Sequence, residues 1–376
     1  MTTMNMQSNW TEYTLEDLLS YEQPTPYIVE STDYSDSYDT PVLTAGKSFI
    51  IGYTNETSGI YDKLPVIIFD DFTTSTQYVN FPFKVKSSAM KILTANTELV
   101  IPKFIFYRMQ IIEFDHSTHK RYWIQQYSKI KVKIPPVPEQ ERIVAKIEEL
   151  FSELDNGVET LKKTKQQLAV YRQAVLKESF GEIKEYIPLG KITVSRLGKM
   201  LDKEKNTGIL QPYLRNINVR WFSFDLSDLL EMRIEPEENE KYSATKGDLI
   251  ICEGGEPGRC AIWEQDETIF YQKALHRVRF TDDSNPKVSM YYFWFAAQTG
   301  KLNPFFTGMG IKHLTGQSLV KVPVPTARKE EQDFIVQEIE SRLSVCDSIE
   351  KTVDTALQQA EAMRQSILKK AFKGEL

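Results

Sequence analysis

One long segment of the chain carries a narrow apolar stripe. Within Glu139–Phe180, an apolar residue recurs at every seventh position, and a second line of apolar residues fills the gaps. A spacing that alternates between three and four residues predicts an α-helix whose stripe packs on another helix. The first line consists of Ile147, Leu154, Leu161, Leu168 and Val175, and the second of Ile143, Leu150 and Tyr171.

The segment Glu331–Phe372 repeats the first one without a gap, at a constant offset of 192 residues. It places Ile339, Val353 and Ile367 on the first line, with Ile349, Ala356 and Met363 on the second. A helix of this length would extend about 60 Å, which is longer than most compact domains need. We therefore expect the two copies to pair as an intramolecular coiled coil. The alternative is two amphipathic helices that pack separately on two globular domains. The identical pairs include Glu139/Glu331, Gln140/Gln332, Ile143/Ile335, Val144/Val336, Ile147/Ile339, Gln166/Gln358, Gln167/Gln359, Arg172/Arg364, Gln173/Gln365, Leu176/Leu368, Lys177/Lys369 and Phe180/Phe372.

The segment that precedes each long helix has short apolar runs bounded by turn residues, which predicts a mixed α/β domain. Proline-rich stretches then separate each domain from its helix, because proline removes a backbone donor and forces the preceding residue to be extended. The order domain, helix, domain, helix indicates a tandem duplication. In the first domain we predict strands at Thr40–Leu43, Ser48–Tyr53, Pro65–Phe69 and Phe83–Lys86, and a helix at Ile101–Phe114. In the second we predict strands at Tyr213–Ile217 and Ala274–Phe280, a hairpin of Gly247–Cys252 with Cys260–Trp263, and a helix at Val288–Ala297.

Composition is that of a chain that can bury a core, with 41% hydrophobic and 26% charged residues. The 376 residues suggest two or three domains. We see no signal peptide in Met1–Trp10 and no apolar run long enough to cross a bilayer. The three cysteines, Cys252, Cys260 and Cys346, form no paired framework, so we expect a reducing, cytoplasmic location.

A search for catalytic motifs finds none. The glycine-rich Glu253–Cys260 lacks the Gly-Lys-Ser/Thr ending of a phosphate loop, and we interpret it as a hairpin turn. Cys252 and Cys260 have no second cysteine pair for a zinc site, and His116 and His119 have no partner cluster. We predict no metal site and a chain that binds and positions rather than catalyses.

Nucleic acid is the ligand that the polar residues suggest, although the net charge of −6 is acidic. Bases and amides alternate with aromatic residues, and local patches rather than net charge decide phosphate binding. A solvated surface has the same residue types, so both interpretations stay open. The predicted DNA-binding residues are Lys47, Thr73, Thr74, Ser75, Lys84 and Arg121 in the first domain, and Lys199, Arg215, Asn218, Arg220, Arg259, Lys273, His276, Lys312 and His313 in the second.

Several motifs are specific to one family. Glu-Gln-x-x-Ile-Val occurs at Glu139–Val144 and Glu331–Val336, the helix ends are Tyr171–Lys177 and Met363–Lys369, and the chain ends with Lys370–Leu376. With these features the chain resembles, over essentially its whole length, the specificity subunit of type I restriction–modification systems. Further similar segments are Thr40–Gly46, Tyr213–Val219, Gly247–Ile251 and Pro257–Arg259, whereas Pro65–Asp71 departs from the family pattern.

The resemblance implies an α+β fold of two target recognition domains (residues 1–133 and 183–321) separated by two conserved helical regions (134–182 and 322–376). The helices would be antiparallel, with a pseudo-twofold relation. Such a subunit is not itself an enzyme: each domain reads half of a bipartite double-stranded DNA site, and the helices fix the gap.

By the same resemblance, the chain would recruit two methyltransferase subunits and the restriction subunits, with no membrane partner. S-adenosylmethionine, ATP and magnesium would bind those partners, and no cofactor would bind this chain directly. The rival hypothesis is a non-catalytic coiled-coil scaffold that binds proteins through its flanking domains. A fused methyltransferase–nuclease is disfavoured, because no catalytic motif is present.

Overall fold

The computed structural model describes residues 9–44, 48–116, 121–181, 183–202 and 206–376. The chain separates into two compact units. The first consists of the residues up to Lys162 together with Asp354–Leu376, and the second is Lys163–Val353. Each unit thus contains part of both long helices, whereas the predicted domain boundaries, which keep each helix whole, remain a prediction.

The described part of the first unit is built on a four-stranded sheet in the order β2-β8-β5-β6, a three-stranded sheet β4-β3-β7 and a pair β1-β9. Neighbouring strands are antiparallel except for β3 and β7, which are parallel. The elements are β1 (Thr11–Thr14), α1 (Leu15–Leu18), β2 (Leu19–Glu22), β3 (Thr40–Leu43), β4 (Ile50–Thr54), β5 (Val66–Asp70), β6 (Thr76–Val79), β7 (Lys84–Val85), β8 (Met90–Ala95), α2 (Pro102–Met109), β9 (Lys131–Ile134) and the first part of α3 (Val137–Gly181).

The described part of the second unit repeats this plan with sheets β11-β18-β15-β16 and β13-β12-β17-β14 and a pair β10-β19. Strands β12 and β17 are the parallel pair here. The elements are β10 (Tyr186–Pro188), β11 (Thr193–Leu197), β12 (Ile209–Leu214), β13 (Leu230–Ile234), α4 (Asn239–Tyr242), β14 (Ser243–Ala244), β15 (Leu249–Cys252), β16 (Cys260–Ile262), β17 (Ile269–Tyr271), β18 (Leu275–Phe280), α5 (Pro286–Gln298), α6 (Gly316–Leu319), β19 (Pro323–Pro325) and α7 (Lys329–Ala371), whose last part belongs to the first unit.

Local sequence accounts for the main elements. Strand β9 alternates exposed lysines with buried Val132 and Ile134, as a strand with one buried face requires. Strand β15 lies between β18 and β16, and all four of its residues are buried. Helix α5 begins after Asn285, whose side chain accepts a hydrogen bond from the Lys287 backbone N–H, with Pro286 in the first turn.

Each unit has a main core that combines its domain helix with the start of one long helix and the end of the other. In the first unit Phe104 of α2 is buried with Ile147 of α3 and with Leu368 and Phe372 from the end of α7. In the second, the same arrangement brings Phe293 of α5 together with Ile339 of α7 and with Phe180 at the end of α3. Buried apolar area of this kind is the dominant stabilising contribution to a fold.

Reciprocal ion pairs join the two long helices within the units. In the first unit Arg364 pairs with Asp155, and in the second Arg172 lies 2.7 Å from Asp347. Arg172 and Asp155 are the counterparts of Arg364 and Asp347 at the offset of 192 residues. In each unit the first half of one long helix therefore lies beside the second half of the other. The expected antiparallel pairing of the helices is confirmed.

The first line of the predicted stripe lies in the helix contact, since Ile147, Leu168, Val175, Ile339 and Val353 are buried. The second line is partly wrong. Tyr171, Ile349 and Met363 are exposed. Cys346 and Ala360, which lie seven residues after Ile339 and Val353, extend the buried first line, and Leu343 is buried beside it.

Candidate nucleic-acid interface

In the second unit, a glycine-rich turn projects from the hairpin of β15 and β16, as the sequence predicted. Its backbone is closed by hydrogen bonds from Cys252 N to Arg259 O (2.8 Å) and from Gly258 N to Cys252 O (3.0 Å). Gly258 has a φ of +95°, and a Cβ there would lie 2.6 Å from Leu302 Cδ1. Glycine is therefore required for the turn to approach the core so closely.

Two other segments meet this turn. A Cβ on Gly254 would lie 3.1 Å from His313 Nδ1, and one on Gly255 would lie 2.9 Å from Asn216 Nδ2. The backbone N–H of Leu314 also donates to the carbonyl of Glu253 at 2.8 Å. The turn, the short helical segment after β12 and the loop before Leu314 therefore form one group of loops, which we call the second loop cluster (Arg215–Arg220, Glu253–Arg259 and Thr307–His313).

Two predicted arginines hold the second loop cluster together. Arg259 donates to Asn216 O at 2.9 Å and to Glu256 at 2.7 Å, and Arg215 donates to Asp228 at 2.6 Å. The Nε atoms of both arginines are buried without a hydrogen-bond partner. With side chains only 16% and 18% exposed, these arginines position the loops and leave little surface for a phosphate.

Four predicted contact residues of the second unit remain on its surface. Arg220 is 52% exposed and lies 3.4 Å from Asp225, whereas Lys273, Lys312 and His313 are exposed and no ion pair involves them among the described residues. Lys312 Nζ lies 5.8 Å from the centroid of the Phe306 ring. Cations without a carboxylate partner are available to DNA phosphates.

Two predicted lysines are buried in ion pairs, so DNA contact does not fit their positions. Lys84 is 3% exposed, lies 2.8 Å from Glu56 and donates to Ser58 O at 2.7 Å. The hydrogen bond from Lys84 lowers the pKa of Glu56. Lys199 is held between Glu235 and Glu238; burial alone would lower its pKa, but these hydrogen bonds raise it. Both lysines stabilise the fold.

Asn218 and His276 are buried as well, and their polar atoms bind the backbone. Asn218 donates to the carbonyls of Asp225 (2.9 Å) and Asp228 (3.1 Å). His276 Nε2 lies 2.9 Å from Leu314 O, and burial lowers the pKa of its imidazole. The two side chains thus position the second loop cluster from behind rather than contacting a ligand.

The first unit has an analogous turn between β5 and β6, which carries the predicted Thr73, Thr74 and Ser75. Asp70 Oδ1 accepts hydrogen bonds from the backbone N–H groups of Phe72 (2.8 Å) and Thr73 (2.9 Å). Thr74 has a φ of +57°. Thr73 and Ser75 are exposed, so their hydroxyl groups point to a surface that a ligand can reach.

His116, for which the sequence suggested no role, lies on this turn. His116 Nε2 is 3.0 Å from Thr74 Oγ1 and 3.0 Å from Thr73 O. His116 follows α2 as His313 follows α5, so each unit places a histidine from the loop after its domain helix against its hairpin turn. The common position of the two histidines, after the domain helix in each unit, is the sequence signal that could have identified His116.

Arg121 is exposed next to the same turn. The residues that follow it, Tyr122 and Trp123, donate their backbone N–H groups to Asp71 O and Asp71 Oδ1, both at 2.9 Å. Asp71 is itself buried and lies 3.1 Å from Lys91. We call Asp70–Ser75, His116 and Arg121 the first loop cluster. The remaining predicted residue, Lys47, lies outside the described residues.

The described residues include neither a metal site nor a membrane-spanning helix. Within the described ranges, no group of three or more His, Cys, Asp or Glu side chains could hold a metal ion. Among the described residues, no helix is long and apolar enough to cross a membrane. Burial raises the pKa of the Cys252 thiol to about 11 and raises that of Cys260 as well, as expected for inert core cysteines.

Known proteins resemble parts of the chain in sequence. Residues 7–169 match the family described as type I restriction modification DNA specificity domain. The EcoR124I/EcoR124II specificity subunit of Escherichia coli is 44% identical over 190 residues, which cover 47% of this chain and 47% of that subunit. The EcoKI specificity subunit of E. coli K12 is 27% identical over 271 residues, or 66% of this chain and 58% of that protein. The chain matches about half the length of these relatives.

Solved structures share the fold. A chain from a study of complex assembly and conformational transition of the type I R-M system has a TM-score of 0.76 at 17% identity and covers 98% of this chain and 99% of its own length. The HsdS subunit from Thermoanaerobacter tengcongensis has a TM-score of 0.56 at 17% identity, with 98% of each chain covered. At this identity the likeness is one of fold, and it extends over both units.

Proposed function

We propose that this chain is a member of the type I restriction specificity family and acts as the DNA-specificity subunit of a type I restriction–modification complex. Each unit would read one half of a bipartite double-stranded DNA site. One observation carries the proposal beyond the matched residues 7–169: the second unit repeats the sheet topology of the first and again places a histidine against its hairpin turn.

The exposed chemistry of the two clusters suits this role. In the second loop cluster Arg220, Lys312 and His313 offer charged or polar donors, and Lys273 lies beside it. The Glu253 backbone N–H bonds to Ala274 O, which places Lys273 next to the turn. Lysine and arginine neutralise phosphates, while arginine and histidine can also donate to base edges in the major groove. Hydroxyl groups such as those of the first loop cluster bind phosphate oxygens.

The long helices would fix the distance between the two half-sites. Half-site spacing must match the phase of the duplex, about 10.5 base pairs per turn, so a stiff connector is required. We further propose that the chain recruits two methyltransferase subunits and the restriction subunits. Those partners would bind S-adenosylmethionine, ATP and magnesium, and this chain would carry out no chemistry itself.

The net charge of −6 is consistent with DNA binding that this chain shares with the methyltransferase subunits. Affinity for double-stranded DNA depends on the number of phosphates neutralised, and an acidic chain neutralises few. The isolated chain should therefore bind DNA weakly, and the complex with methyltransferase should bind tightly. Gel-shift titrations of the chain with and without methyltransferase measure this difference. Tight sequence-specific binding by the isolated chain would contradict it.

Methylome sequencing of a strain that carries this chain with its methyltransferase tests the function itself. We expect methylated adenines in a bipartite motif that disappears when the chain is deleted. Lys312→Ala should weaken or relax one half of the motif only, and Arg121→Ala the other half, whereas Lys191→Ala, an exposed lysine outside both clusters, should change neither. If the complex assembles but no sequence-specific methylation depends on the chain, it is a scaffold and the proposal fails.

A further inference from the structure

The tip of the loop Thr307–His313 carries two apolar side chains that nothing in the described chain covers. Met309 is 108% exposed and Ile311 is 74% exposed. No other large hydrophobic residue among those described is as exposed as either of them. Apolar side chains that project into water cost free energy, so such a tip usually marks a contact surface.

The tip is held in place by its base. Thr307 and His313 form an antiparallel bridge, with N–H to carbonyl distances of 2.8 and 2.9 Å in the two directions. Leu314, which follows, is fully buried and bonded to Glu253 of the hairpin turn. Gly308 has a φ of +98°, and a Cβ there would lie 2.3 Å from Ile311 O. The conformation of the loop backbone therefore directs Met309 and Ile311 outward.

The surroundings of the tip are basic. Lys312 and His313 follow directly in the chain, and Lys273 is next to the turn to which the loop is bonded. None of these three side chains forms an ion pair in the described structure. DNA offers what complements this pattern: phosphates for the cations, and base faces or thymine methyl groups for the apolar side chains. A protein partner would have to supply both an apolar pocket and an acidic rim.

We propose that Met309 and Ile311 form a wedge that inserts at a base step of the half-site read by the second unit. Methionine and isoleucine are among the side chains that proteins insert between base pairs, where they partly unstack the step and kink the duplex. Because pyrimidine–purine steps unstack most easily, the wedge would add specificity at a position without a hydrogen bond to a base. This inference rests on the proposed function and extends it to residues that the charge pattern does not reveal.

Fluorescence of 2-aminopurine tests the wedge. The probe is placed at successive steps of the half-site in a duplex whose sequence comes from the methylome, and the protein is the complex with methyltransferase. The native complex should raise the fluorescence at one step, because unstacking relieves quenching. Met309→Ala combined with Ile311→Ala should abolish that rise and weaken DNA binding about tenfold. Met309→Leu should retain both effects.

Ile209→Ala is the matched control, because Ile209 is 63% exposed on β12, away from the loop. It should leave the fluorescence and the affinity unchanged. Thermal melting checks that each variant folds like the native chain.

The inference is overturned if the double variant binds as tightly as the native complex, if no probe position brightens, or if the variant loses methyltransferase binding in the absence of DNA. In the first two cases sequence-specific methylation would persist, so the proposed function would stand. Failure of the native complex to bind its motif would instead refute the proposed function.

Discussion

Replacement of Gln140 by leucine gives the sharpest test of how the long helices hold the domains. Gln140 is fully buried at the start of α3. Its side-chain oxygen accepts a hydrogen bond from the backbone N–H of Ile101 at 2.8 Å, and its amide donates to Leu99 O at 3.0 Å and to Pro135 O at 2.8 Å. Ile101 is the N-cap residue immediately before α2, so one side chain joins the long helix to the start of the domain helix.

Leucine has about the same volume but leaves these backbone groups without their partner. A buried, unsatisfied donor costs about 1–3 kcal/mol, and the two carbonyl groups add to this cost. We expect Gln140→Leu to destabilise the first unit by about 3 kcal/mol, which corresponds to a fall in melting temperature of about 6–12 °C. The equivalent Gln332 makes only two such bonds, to Asn285 N (2.7 Å) and Ala327 O (2.8 Å). Gln332→Leu should therefore cost less, about 2 kcal/mol in the second unit.

Urea titration measures the free energy of unfolding, and hydrogen exchange with mass spectrometry shows which unit has changed. Amides of α2 should lose protection in Gln140→Leu, and those of α5 in Gln332→Leu. Gln358→Leu is the control, because Gln358 also belongs to the repeat but is exposed on α7, where a substitution should change stability by at most about 0.5 kcal/mol. If Gln140→Leu is no more destabilising than Gln358→Leu, the buried glutamine does not hold the domain helix.

Four further substitutions separate structural from DNA-binding roles. Burial lowers the pKa of His276, so the neutral side chain contributes its full stability above about pH 6.5. This stability is lost as the pH falls toward the pKa of the folded state. Thermal melts between about pH 7.5 and 5.5 should show the loss in the native chain and a smaller loss in His276→Asn. Lys84→Met should destabilise the first unit by about 3 kcal/mol in urea titrations, because it leaves Glu56 (17% exposed) without its partner; an unchanged midpoint would contradict the buried pair. Lys273→Ala and Lys312→Ala should each reduce the slope of log K against log salt by about 0.9 while leaving stability unchanged; an unaltered slope would show that these lysines do not contact phosphate.

Much of the fold was predictable where the signal is local. The hairpin of β15 and β16 was evident because two apolar runs flank a glycine-rich turn. Strand β13 (Leu230–Ile234) was missed because three of its five residues are exposed, and its position is set by pairing with β12 about 20 residues earlier. Helix α2 ends at Met109 rather than Phe114, since the apolar residues after it pack on the core as irregular chain.

The candidate site was harder to predict, because burial of a charge depends on partners that are remote in sequence. Lys84 has the composition of a surface lysine until Glu56 is brought beside it, and Lys199 likewise depends on Glu235. His116 was dismissed because nothing near it in the sequence suggested a role, and its partner Thr74 lies 42 residues away. Residue type alone therefore identifies the cationic side chains, whereas the fold determines which of them are exposed and able to bind a ligand.

The positions of the identical residues in the repeat show what the two helices share. Twelve of the sixteen identical pairs fall in the first nine and the last fifteen residues of the repeated segment. The other four, spread over the eighteen positions between, are Glu148/Glu340, Ser152/Ser344, Asp155/Asp347 and Thr160/Thr352. The first group contains the buried Gln140 and Gln332, which bond to the residue before the domain helix. The last group ends with the phenylalanines that pack on the domain helices: Phe372 lies 5.2 Å from Phe104 in the first unit, and Phe180 lies 5.5 Å from Tyr292 in the second, measured between ring centroids. If the repeat served only to form a coiled coil, identity would be expected to be even along its length. Its concentration at the two ends indicates that each helix is a connector, which holds one domain helix with its start and the other with its end. In the middle, the identical Asp155 and Asp347 are the ion-pair partners of Arg364 and Arg172.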